Sequence, residues 1–66
     1  MELKDMVKDI GDSNIRSIEI SISEFPEVGD YIYIYFSEGQ MIGIRWPRGH
    51  GLSEEDIQYS DGKGWK

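Results

Sequence analysis

Cysteine is absent from this chain, which excludes a disulfide framework, an iron–sulfur cluster and a thiolate zinc site. Basic residues are scarce. Seven Lys and Arg stand against 13 Asp and Glu, for a formal net charge of −6. Binding along a nucleic-acid backbone needs Lys and Arg to displace counterions, so direct nucleic-acid binding is disfavoured. No apolar run approaches the roughly 18 residues of a membrane helix, and Met1-Glu2-Leu3-Lys4-Asp5 is too polar for a secretory signal. No membrane partner is expected, and the missing cysteines fit a reducing cytoplasm. Histidine occurs once, at His50, between glycines that leave its ring unfixed. With 66 residues the chain reads as one small domain, 1–66, able to bury only about 60% of its unfolded surface.

The residues that are present alternate with clear periods. Leu3, Met6, Val7 and Ile10 form one apolar stripe at helical spacing, with Glu2, Lys4, Asp5, Lys8 and Asp9 off it and Gly11 as the stop. From Arg16 the period falls to two. Ile18, Ile20 and Ile22 alternate with Glu19, Ser21 and Ser23, the pattern of a half-buried strand. Phe25-Pro26-Glu27-Val28-Gly29-Asp30 breaks it as a loop. Tyr31-Ile32-Tyr33-Ile34-Tyr35-Phe36 is the strongest strand signal, and Gln40 to Trp46 makes a third strand ended by Pro47. A two-residue turn would oppose Tyr33 with Ile44 and mix the faces. A three-residue Ser37-Glu38-Gly39 turn opposes Ile34 with Ile42 and Ile32 with Ile44, and it puts glycine where positive φ is needed. After the Arg48-Gly49-His50-Gly51 loop, Ser53 can cap a helical turn over Glu54-Glu55-Asp56-Ile57. An extended or strand segment at Ile57-Gln58-Tyr59 and an Asp61-Gly62 turn toward Trp65 follow.

These elements predict an α+β fold: a short N-terminal helix packed on a three- to four-stranded antiparallel β-meander. One sheet face collects Ile18, Ile20, Ile22, Ile32, Ile34, Ile42 and Ile44, and the helix stripe is its expected cover. The other face collects Ser21, Ser23, Tyr31, Tyr33, Tyr35, Met41, Gly43 and Arg45. There Tyr33 would lie across from Gly43, and Tyr31 across from Arg45 within reach of a cation–π contact. The competing architecture is a five-stranded barrel. VGDYIYIYFSEGQMIGI, about a quarter of the chain, resembles the Gly-Asp–strand–Gly-turn–strand pattern of SH3-like barrels, a likeness of fold that implies no function.

Three surfaces are candidates for function. Tyr31, Tyr33 and Tyr35, with Met41 and Arg45 alongside, offer apolar area with polar tips, as interfaces favour. The plain alternative is that Tyr59 or Trp65 folds back to cover them. The acidic residues, densest at Glu54, Glu55 and Asp56, either keep the chain soluble or steer it to a basic partner. Arg45 and Arg48, around Trp46, form the one locally positive stretch, which either docks or pairs with neighbouring carboxylates. No catalytic residue, metal site or cofactor is expected: one mobile-looking histidine makes neither a triad nor a ligand set. So short a chain also has little room to enclose a pocket of roughly 300 Å³.

The expected partner is therefore another protein, with a basic or nucleic-acid-binding surface, blocked by steric occlusion. Small inhibitors and adaptors share this size and charge, phage-type anti-defence, anti-CRISPR and immunity proteins among them; no motif supports the association. Two other readings stand beside it: a β module stacking single-stranded nucleic acid on the tyrosines, and a homodimer paired through the second or third strand as a sheet edge.

Overall fold

The computed structural model describes residues 2–25, 27–49 and 51–66. Met1 of the polar N-terminal segment, and Pro26 and His50 of the two loops read above, lie outside the described residues. Helix α1 spans Leu3–Ile10, and the Gly11 N–H closes it on the Val7 carbonyl at 3.1 Å. Four strands follow: β1 (Ile15–Ser21), β2 (Asp30–Phe36), β3 (Met41–Trp46) and β4 (Ile57–Ser60). A single 3-10 turn at Glu54–Asp56 leads into β4. The fold is α+β, with one short helix and an antiparallel sheet ordered β1-β2-β3-β4.

Parity governs the sheet as expected. Ile34 opposes Ile42, Ile32 opposes Ile44 and Tyr33 opposes Gly43. The Ser37-Glu38-Gly39 turn is closed by Phe36 N–H to the Gln40 carbonyl at 2.9 Å, with Gly39 at φ +95. The fourth strand also forms. The side chain of Asp56 and that of Ser53 reciprocally cap the turn before it.

Two competing readings of the topology are set aside. The sheet stays open rather than closing into an SH3-like barrel. Trp65 bridges Ser60, and the Lys66 N–H donates to the Tyr59 carbonyl at 2.7 Å, so the outer edge of β4 is occupied and cannot reach β1. Dimerisation through β2 or β3 as an edge is also excluded, because each is hydrogen-bonded on both sides.

The helix does not cover the isoleucine face; it covers one side of it. In the row Ile18–Ile34–Ile42–Tyr59, Tyr59 is 0% exposed, Ile34 and Ile42 are half-buried, and Ile18 is 57% exposed. Ile20 and Ile22 are opener still, at 65% and 74%. Of the helix stripe only Met6 is buried, at 2%, while Leu3 and Val7 remain exposed. Polar contacts explain the placement. The Tyr59 hydroxyl donates to the Asp9 carboxylate and holds the helix over β4. The link after the helix is fastened to the β2–β3 turn: Ser37 N–H donates to the Asn14 carbonyl at 2.8 Å, and the Ser13 hydroxyl lies 3.0 Å from Glu38 Oε2 and 3.1 Å from Gln40 Oε1.

Candidate functional site

The face opposite the isoleucines carries an open cleft of about 450 Å³, lined by Tyr31, Tyr33, Gly43, Arg45, Glu55, Asp56, Gln58 and Trp65. Strand alternation puts Tyr31 and Tyr33 on this side. Their rings run parallel within 6°, centroids 6.0 Å apart. Gly43, opposite Tyr33 in β3, is the floor. A Cβ there would sit 3.2 Å from Cη2 of Trp65 and 3.5 Å from Cε1 of Tyr33, so the missing side chain is what lets both rings close on the backbone. Trp65 arrives because Asp61 and Ser60 turn the chain: Lys63 N–H donates to Asp61 Oδ1 at 2.9 Å and Gly62 N–H to Ser60 Oγ at 3.2 Å.

The charged end of the cleft is a relay through Asp56. Its Oδ2 accepts from the Ser53 N–H at 3.2 Å and hydroxyl at 3.1 Å, and its Oδ1 lies 3.5 Å from the Arg45 guanidinium. The guanidinium of Arg45 thus meets a carboxylate where a cation–π contact with Tyr31 was expected. The capping geometry fixes the aspartate, and the half-exposed arginine lies beside it.

Five of the nine sequence-predicted residues meet here: Tyr31, Tyr33, Arg45, Glu55 and Asp56. Tyr35 and Met41 oppose one another one row further along, between Ser17 and Ser60, outside the cleft. Glu54 is exposed and does not line it. Arg48 lies elsewhere, at the end of the sheet. Its Nε donates to Asp30 Oδ2 at 3.2 Å, and one terminal nitrogen donates to Asp30 Oδ1 at 2.8 Å and to the Ser23 carbonyl at 2.7 Å. That clamp ties the β1–β2 loop to the segment after β3. The Arg48 hydrogen bond holds the Asp30 carboxyl below its ordinary range, and Asp30 in turn raises Arg48.

The alternatives for the tyrosine stripe resolve into a mixture. Tyr31, Tyr33 and Tyr35 are half-buried rather than wet, and Trp65 covers the stripe only over Gly43. Tyr59 goes to the other face. The cleft is open rather than enclosed: it is built on the sheet surface and takes no volume from the core. Sequence reasoning did not assign Gln58, Gly43 or Trp65 to a site. A lone glycine inside a strand, opposite a tyrosine, was the available signal.

The lining supplies two phenols, an indole, hydrogen-bonding groups and both signs of charge. Among the described residues no group of three or more His, Asp or Glu side chains could hold a metal ion, and no helix is long and apolar enough to cross a membrane. No protein-family model, no curated protein and no solved structure matches this chain.

Proposed function

We propose that the chain is a small protein-binding module, an inhibitor or adaptor, that docks through the aromatic cleft and blocks its target by steric occlusion. The gathering of Tyr31, Tyr33 and Trp65 around Gly43, beside the Arg45–Asp56 ion pair, carries this reading. Rigid aromatic anchors and arginine are the residues that supply most binding energy at protein interfaces. A cleft of this composition fits an amphipathic side chain or short segment presented by another protein, apolar over the rings and polar toward Arg45 and Asp56. The net charge of −6 steers the module toward a basic surface, including the groove of a nucleic-acid-binding protein.

The test is capture from a host lysate with immobilised wild-type chain, repeated with Tyr33→Ala and Gly43→Val. A specific partner retained by wild type and lost by both folded variants supports the reading; a partner retained equally by all three removes it. The parallel Tyr31 and Tyr33 rings also suit base stacking, so the same three chains go into an oligonucleotide titration. Micromolar, steeply salt-sensitive binding there would replace the protein-binding reading.

A further inference from the structure

The isoleucine layer is untouched by the cleft, and it is too open for a finished monomer. A folded chain of 7.6 kDa exposes about 4,300 Å² by the usual scaling, whereas this one exposes 4885 Å², a surplus of about 600 Å². Its radius of gyration is 12.3 Å where a compact domain of this length has about 11 Å. The surplus is of the order of the roughly 800 Å² that each partner contributes to a standard interface. The most exposed aliphatic side chains include Ile18, Ile20 and Ile22 on this face, with Leu3 and Val7 of the helix also bare.

What covers it follows from charge and from the edges. Positions 18, 20, 22, 32, 34, 42, 44 and 57 are all isoleucine, so a basic partner drawn by the net charge finds nothing to pair with on this face. Edge-to-edge pairing is blunted at both sides: a bulge between Ile15 and Ser17 interrupts β1, and Trp65 occupies β4. A broad aliphatic sheet face is complementary to a copy of itself, as in the face-to-face packing of β-sandwiches. We propose that two copies of the chain associate isoleucine face to isoleucine face, through the β1 side of each sheet. The dimer is a β-sandwich flanked by the two helices, and it leaves both aromatic clefts on its outer surfaces. It stands whether or not the cleft binds protein.

Sedimentation equilibrium from roughly 1 µM to 1 mM tests it. The wild-type chain should approach twice 7.6 kDa, and added salt should strengthen association by screening like-charged copies. Ile20→Glu should weaken association by about tenfold or more while keeping the wild-type circular dichroism. Should that variant fail to fold, Ile22→Lys, beyond the end of β1, gives the same reading. A wild-type chain at 7.6 kDa throughout overturns the dimer, and so does a folded charged variant that associates as wild type does.

Discussion

The two sides of one sheet differ more than its two faces. Beside β4, the aliphatic layer is roofed by the helix, and Tyr59 and Met6 are lost to solvent. Beside β1, isoleucines of the same parity, in the same register, stand exposed. Alternation decides which way a side chain points. It does not decide whether anything lies on top. Here the placement of the helix goes with long-range polar contacts, Tyr59 to Asp9 across 50 residues of sequence and the Ser13–Asn14 link to the β2–β3 turn.

Four substitutions and one condition test the structure around that contrast. The largest effect is expected from Tyr59→Ala, at about 3–5 kcal/mol in urea unfolding, because it opens a cavity beneath the helix. Met6→Ala should follow at about 2–5 kcal/mol. Ile20→Ala in dilute solution should cost less than about 0.5 kcal/mol, since its side chain is already in water. Equal losses at Met6 and Ile20 would break the comparison. Gly43→Val should leave the sheet folded but push Trp65 off the backbone, read as a red shift in the emission of a Trp46→Phe background. An unchanged spectrum would mean that the indole does not depend on the gap at Gly43.

A pH dependence confined to the covered side completes the comparison. Burial, then the Asp9 hydrogen bond and charge, push the Tyr59 phenol up to about 12, from an ordinary 10.0. The folded chain therefore holds that proton more tightly than the unfolded one does. The stabilisation is complete below pH 10 and is lost as pH rises toward 12. Unfolding midpoints across that window should fall for wild type more than for Tyr59→Phe.

Much of this was legible in the sequence, because it is local. Alternation set the partners of Ile32 and Ile34, the position of Gly39 fixed the turn, and Ser53 with Asp56 announced the start of β4. What escaped depends on long-range contacts. The helix stripe gave no sign of where along the sheet it would land, since Asn14 and Ser13 bond to a turn more than twenty residues away. Pairing of Arg48 with a carboxylate was one of the two readings its loop offered, but which carboxylate, and the added bond to the Ser23 carbonyl, depend on the approach of Ser23 and Asp30. The cleft needed Trp65 to return beside β4; the Asp61-Gly62 turn offered that return, but not the seat of the indole over Gly43.

The two sheet margins, one kinked at Arg16 and the other stitched to Lys66, have a consequence for behaviour at high concentration. Cross-β growth needs a straight strand with free backbone groups on each flank, so that copies can add without limit. Trp65 and Lys66 occupy part of one flank and the bulge at Arg16 interrupts one end of the other, so unlimited addition is hindered despite the run of β-forming residues through β2.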